Sequence, residues 1–275
     1  MKTFGRAGWT FDVVDLGPAD GPPVILLHGF PANPRSWERV TPALVEAGHR
    51  VLVPAQRGYS PGARPHGRRD YRMGELVDDV VALADQAGLD RFAVAGHDWG
   101  AAVAWTLAAR HPHRVSAVAA LSVPHPGAFR QALAGTQLLR SWYMVFFQLP
   151  LLPERILGSP VAAKILEHSG LDADLAADYL ESLRGPGALS AAVNWYRALP
   201  FDAVANDQAG PVRVPTLYVW STNDPYLGRS GAEHCADWVR APYRFELIED
   251  ASHWLPETEA PRVAALLVDH LANHP

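Results

Sequence analysis

Five short apolar runs recur along this chain, at residues 24–28 (VILLH), 50–54 (RVLVP), 92–96 (FAVAG), 115–121 (VSAVAAL) and 216–220 (TLYVW). Apolar runs of this length, without polar alternation, belong to strands buried on both faces. Helix-like segments lie between them. Residues 36–47 and 73–87 are amphipathic, and 99–110 is Ala-rich with few polar residues, as a helix packed in the middle of a domain would be. A strand at 244–248 and a helix at 261–271 close the series, with Pro261 suited to a helix's first turn. Residues 3–6 and 9–16 flank a glycine-containing turn and read as a β-hairpin. Strands that alternate with helices of this size need crossover connections and so build a parallel sheet.

The alternation breaks after Val123. From Pro124 to about Asp207 there is no buried-strand pattern, only helical stretches and turns rich in Trp, Tyr and Phe. The division expected is a core of residues 1–124 and 208–275 with an inserted helical cap at 125–207. Ligands of open α/β sheets bind at the carboxyl ends of the strands, where such an insertion would roof a site. At 275 residues and 48 % hydrophobic content the chain has ample material for one core. A net charge of −5 leaves no basic footprint, so nucleic acid is not an expected partner. The longest apolar stretch, 142–152, is broken by Gln148 and Pro150 and falls short of the roughly 20 residues a bilayer needs. The first residues lack the apolar core of a signal peptide, and Cys235 is the sole cysteine. A cytoplasmic protein with no membrane partner is expected. The sequence sets no oligomeric state.

Residues 92–102 read as strand, tight turn and helix, and carry G-x-D-x-G at Gly96, Asp98 and Gly100. That is the spacing of the G-x-S-x-G nucleophile elbow of α/β hydrolases, with Asp in the place of Ser. Asp98 alone reads equally well as a helix N-cap. As a nucleophile it needs no base to ionise it, since a carboxyl group titrates near about 3.9. A carboxylate suits displacement at an sp³ carbon, giving an alkyl ester on the protein. Attack on an acyl group would give a mixed anhydride. The residue type therefore points to cleavage of C–O or C–halogen bonds.

Hydrolysis of such an ester needs water activated by a base that an acid orients. His253 follows the last expected strand and Asp224 follows the strand at 216–220, both on the edge that carries the elbow. The order Asp98, Asp224, His253 is the nucleophile–acid–His order of this fold. Asp250 lies too near His253 along the chain to be the acid. The loop after the first buried strand, His28-Gly29-Phe30-Pro31, supplies one oxyanion-hole amide in this fold, and the residue after the nucleophile supplies the other. Those amides belong to Phe30 and Trp99; either side chain also suits the core. His28 is expected to organise its loop.

Together, HGFP (28–31), RGYSPGARP (57–65), GHDWGA (96–101), Asp224 in STNDP and His253 in ASHW resemble the epoxide hydrolases of the α/β-hydrolase fold. The resemblance runs through most of the chain. It implies a mostly parallel central sheet flanked by helices, an inserted cap, an epoxide substrate, and no metal or organic cofactor. It also implies two cap tyrosines that polarise the epoxide oxygen. Val193-Asn-Trp-Tyr196-Arg197 is similar to the motif for the second, so the resemblance makes Tyr196 a proton donor; otherwise it packs an aromatic helix. At the first, Phe146 aligns where tyrosine is expected, and Tyr143 stands one helical turn away. The cap aromatics Trp142, Tyr143, Phe146 and Trp195 are expected to line a site for an apolar or aromatic small molecule. Haloalkane and fluoroacetate dehalogenases share the Asp nucleophile. Phe30 is not the Asn, and Trp99 not the Arg, that some of them use; Trp99 with Trp142 or Trp195 fits a halide-holding pair. A non-catalytic binding module is the reading of another class, and it would fit the loss of a triad member, which is not seen.

Overall fold

The computed structural model describes residues 1–204 and 209–274. Its strands are β1 (Thr3–Arg6), β2 (Trp9–Leu16), β3 (Pro23–Leu27), β4 (Arg50–Pro54), β5 (Phe92–His97), β6 (Val115–Leu121), β7 (Thr216–Ser221) and β8 (Tyr243–Ile248). They form one sheet in the order β1-β2-β4-β3-β5-β6-β7-β8. The hairpin β1–β2 and its junction with β4 are antiparallel, and every other pairing is parallel.

Three helices punctuate the first half: α1 (Thr41–Glu46), α2 (Met73–Gln86) and α3 (Trp99–Arg110). Between β6 and β7 come α4 (Pro126–Ala132), α5 (Gln137–Arg140), α6 (Trp142–Phe146), α7 (Leu152–Leu157), α8 (Pro160–His168), α9 (Ala173–Ser182) and α10 (Ala188–Val204). After β7 follow α11 (Arg229–Glu233), α12 (Leu255–Thr258) and α13 (Ala260–Ala272). The expected boundary at 207/208 lies outside the described residues. No helix among them is long and apolar enough to cross a membrane.

Burial explains the unbroken apolar runs. Successive strand residues point to opposite faces, and here both faces are covered. Val24 and Leu26 of β3 pack with Leu44 of α1 and Val263 and Leu267 of α13. Ile25 and Leu27 face the other way, into the cluster that holds α2 and α3. Tyr218 and Trp220 of β7 join that second cluster, while Leu217 and Val219 join the first.

One expected helix is interrupted. Residues 36–47 divide into a 3₁₀ turn, Pro34–Trp37, and α1. Pro42 has no N–H to give the carbonyl of Glu38, so a continuous helix would lose a bond there. The Thr41 hydroxyl donates to that carbonyl instead, at 3.3 Å.

Candidate active site

Register brings the carboxyl ends of the central strands level. Leu27 pairs with Gly96, His97 with Leu121, Leu121 with Val219, and Ser221 with Ile248. The residues that follow, 28–30, 98, 122, 224 and 253, therefore emerge along one edge.

Asp98 occupies the turn between β5 and α3 with φ 53° and ψ −122°, a region that strains any residue but glycine by about 1–3 kcal/mol. Its flanks explain how the turn closes. A Cβ on Gly96 would collide with the Gly100 carbonyl, and one on Gly100 with the Leu27 carbonyl. Strand and helix approach so closely there that only hydrogen fits. Asp98 does stand at the N-cap position of α3, but its side chain makes no capping bond there and is left for other partners.

Each carboxylate oxygen of Asp98 meets a different partner. The Phe30 amide donates to Oδ1 at 2.7 Å, and Oδ2 stands 3.6 Å from His253 Nε2. His253 Nδ1 is 2.7 Å from Asp224 Oδ2. Asp224 Oδ1 accepts from the amides of Tyr226 and Leu227 at 2.7 and 2.9 Å. Trp99 opens α3, and its amide is among those a helix leaves without an internal partner. Asp98, Asp224, His253, Phe30 and Trp99 are thus brought together.

Charge follows from this line. Burial works against an ionised Asp98, but His253's hydrogen bond and charge and the Phe30 amide outweigh it and hold the carboxyl below its ordinary range. Burial also works against a charged His253. Asp224 and then Asp98 reverse that and push the imidazole up to about 10. The resting arrangement is an imidazolium between two carboxylates.

His28 sits under the loop as expected. Its Nδ1 faces the Gly29 carbonyl at 3.0 Å, and Nε2 accepts from the Gln56 amide at 3.2 Å. Burial lowers its pKa to about 4, so it is neutral. Two residues not singled out above steady His253. Ser122 Oγ and His97 Nε2 both donate to its backbone carbonyl at 2.8 Å. Burial holds His97 neutral as well, near about 4. The sequence signal for His97 is its place inside the elbow; Ser122 has none beyond the end of β6.

Above the edge is a cavity of about 450 Å³ lined mostly by apolar side chains, with Asp98 and Trp99 at its base and Tyr143 and Tyr196 on its wall. The two phenols are neighbours, with ring centroids 6.0 Å apart. Burial raises both pKa values well above that of an ordinary phenol, and the charge of Asp98 raises them further. Both keep their protons at neutral pH.

The other aromatics expected at the site are elsewhere. Trp142 is 66 % exposed. Phe146 packs on Trp142 and Phe147 and is absent from the cavity wall. Residues four apart share a helix face, so Trp142 and Phe146 lie on one stripe of α6, the first exposed and the second half-buried against the core. Tyr143 and Phe147 form the inner one, and Phe147 packs on Phe30 and Tyr196. Trp195 is buried beneath the cavity, with its indole N–H donated to the Arg57 carbonyl at 2.8 Å. Residues the sequence did not mark also line the cavity, among them Met73, Thr106, Phe129 and Asp202. They come from elements far apart in the chain, and nothing local distinguishes them. Among the described residues, no three His, Cys, Asp or Glu side chains gather as a metal set.

Comparison with known proteins gives a consistent set of relatives. A family model described as "alpha/beta hydrolase fold" matches residues 22–260. The AB hydrolase superfamily protein YfhM of Bacillus subtilis is 34 % identical over 97 % of this chain and 96 % of its own length. Epoxide hydrolase A of Mycobacterium tuberculosis is 33 % identical over 95 % of this chain and 94 % of its own. Among solved structures, epoxide hydrolase A of Mycobacterium thermoresistibile superposes with a TM-score of 0.85 at 27 % identity, covering 98 % of this chain and 97 % of that one.

Proposed function

The chain belongs to the epoxide hydrolase family of the α/β-hydrolase fold, and from that premise we propose that it converts an epoxide to a vicinal diol through an ester on Asp98. One observation carries the reading: a carboxylate at a strained elbow, one oxygen on an amide and the other facing an imidazolium, opposite two adjacent phenols. The helices from residue 125 onward act as the cap.

Asp98 attacks one epoxide carbon, forming a C–O bond as the ring C–O bond breaks. The departing oxygen takes a proton from the Tyr143–Tyr196 pair. Ester formation removes the charge of Asp98, one of the two that hold the proton on His253. The imidazolium then gives up that proton, which replaces the one the phenols delivered. Neutral His253, oriented by Asp224, takes a proton from water as the water oxygen bonds the ester carbonyl carbon. Collapse of that intermediate breaks the acyl C–O bond, and the freed diol oxygen takes the proton of the new carboxyl group, which restores the Asp98 carboxylate and the imidazolium. The Phe30 amide already bonds the oxygen that becomes the oxyanion, and the Trp99 amide completes the hole. An apolar or aromatic small molecule suits the mostly apolar cavity.

Dehalogenation by the same nucleophile needs a pair of donors for halide. Trp142 faces solvent and the N–H of Trp195 is taken by Arg57, so neither cap tryptophan is free to join Trp99. A nascent alkoxide must also receive a proton, which a phenol can give, whereas a halide needs only hydrogen bonds.

A single turnover in ¹⁸O-labelled water tests the covalent step. Label is expected in the Asp98 carboxylate, read by mass spectrometry of its peptide, because water attacks the ester carbonyl. Label confined to the diol would refute the ester. A panel of epoxides and haloalkanes assayed side by side tests the substrate class, with diol formation expected.

A further inference from the structure

Asp224 is held in two stages. Its own loop folds back on it, through the amides of Tyr226 and Leu227. That fixes the carboxylate within the loop and leaves open what fixes the loop. The core holds its two ends, where Asn223 Nδ2 donates to the Asp250 carbonyl at 3.1 Å and the Trp220 indole to the Leu227 carbonyl at 3.3 Å. The inserted helices hold what lies between and beyond. Gln137, the first residue of α5 and only 2 % exposed, accepts from the Gly228 amide at 2.7 Å. Its Nε2 donates to the Tyr226 carbonyl at 2.7 Å and to Ser141 Oγ at 3.0 Å. One turn on, Arg140 Nη1 donates to the Asp224 carbonyl at 2.9 Å. Two side chains of α5 thus grip the backbone of the acid loop at residues 224, 226 and 228.

The third partner of Gln137 gives the grip its direction. Ser141 immediately precedes α6, which carries Tyr143. The Tyr226 ring, between the two halves, lies 5.5 Å from that of Tyr143 and 5.1 Å from that of His253. A buried amide whose donors and acceptor are all engaged admits one geometry and penalises others. Simple satisfaction of a buried polar side chain would not require every loop contact to fall on the segment that carries the acid.

Resting on the proposed ester mechanism, we infer that Gln137, with Arg140, is a positioning residue. It ties the acid loop to the helix bearing Tyr143, so the ring-opening phenol and the base for ester hydrolysis share one frame.

The test reads His253 directly. Asp224, Asp98, His97, Glu257 and Tyr226 all face it, and all are unchanged in the variants. Loss of the Arg140 cation would by itself raise the midpoint, so a fall reports the alignment of Asp224. His253 is titrated by NMR in the parent protein, in Gln137→Leu, in Arg140→Met and in Arg140→Lys; His253→Gln identifies the signal. Loosening Asp224 should lower the titration midpoint by roughly 0.5 or more in Gln137→Leu and Arg140→Met, with partial recovery in Arg140→Lys. In single turnovers, hydrolysis of the Asp98 adduct should slow about tenfold, and more than its formation does. An unchanged His253 midpoint in both variants overturns the inference, even if stability falls. Should Gln137→Leu not fold, the exposed Arg140 carries the test. Absence of any epoxide adduct in the parent would defeat the ester mechanism and leave the titration to decide the clasp.

Discussion

The nucleophile proposed at Asp98 must be ionised in a place dry enough for its charge to act. At Asp98 those needs oppose one another, because burial favours the protonated acid. The imidazolium of His253 and the Phe30 amide resolve the conflict in favour of charge. The phenols face the same field with the opposite result. Burial and the charge of Asp98 hold Tyr143 and Tyr196 protonated, which is the state of a donor. Replacing Tyr196 by Phe keeps the ring packed on Trp99 and Phe147 and removes the donor. Epoxide opening, followed as adduct formation, should slow by about 10²–10⁴-fold if Tyr196 acts alone. With the load shared, each single change costs less and Tyr143→Phe with Tyr196→Phe together costs the full amount. A double variant as fast as the parent would remove both phenols from the mechanism.

Elements matter here through the distances at which they can approach. β5 and α3 meet at Gly96 and Gly100, and α3 meets β3 through Gly100 and the Leu27 carbonyl. Gly100→Ala places a methyl group against the Leu27 and His28 backbone, with no flexible side chain to give way. Forcing an added methylene into a packed site costs about 1–3 kcal/mol, so urea unfolding should show a lower midpoint with an unchanged slope. The elbow moves with α3, so activity should fall in the variant even where it is fully folded. A variant that keeps both midpoint and rate would mean the elbow has room that the contacts deny. At the other end of the site, α6 shows how a short helix sorts its aromatics. One face sends Tyr143 and Phe147 inward, and the neighbouring face carries the exposed Trp142 and the half-buried Phe146.

Across the whole molecule, the inserted helices are fastened to the core at identifiable points. One is Asp202 of α10, which accepts from the Met73 amide at the start of α2, at 2.9 Å. Burial pushes its carboxyl up to about 6, against the pull of that amide and of Arg72 and Arg110. A pKa raised on folding means a stabilising contribution that is whole below the unfolded value and is lost as pH rises through about 6. Asn at this position keeps the acceptor for Met73 and has no charge to bury. Asp202→Asn should therefore melt above the parent at pH 7–8, with the gap closing as pH falls toward about 4. A gap that is absent, or that widens in acid, would refute the account.

Much of this was written locally. Unbroken apolar runs required strands buried on both faces, and two glycines flanking an aspartate required a tight elbow, because both signals act through near neighbours in the chain. The chain order of Asp98, Asp224 and His253 could be read for the same reason: each follows a strand, and parallel strands carry such positions to one edge. What the chain could not state locally was the direction of each side chain in the inserted helices. Trp142 and Tyr143 are adjacent, equally aromatic and on one short helix, yet one faces solvent and the other the cavity. Trp195 and Tyr196 divide in the same way, one beneath the cavity and one on its wall. The rotation of α6 and α10 about their axes decides this. That rotation is set by packing against Phe30, Trp99, Tyr59 and Tyr226, which come from loops and the start of α3, far off in sequence. The grip of Gln137 on the acid loop spans about ninety residues, so only the folded chain brings its partners within hydrogen-bond reach.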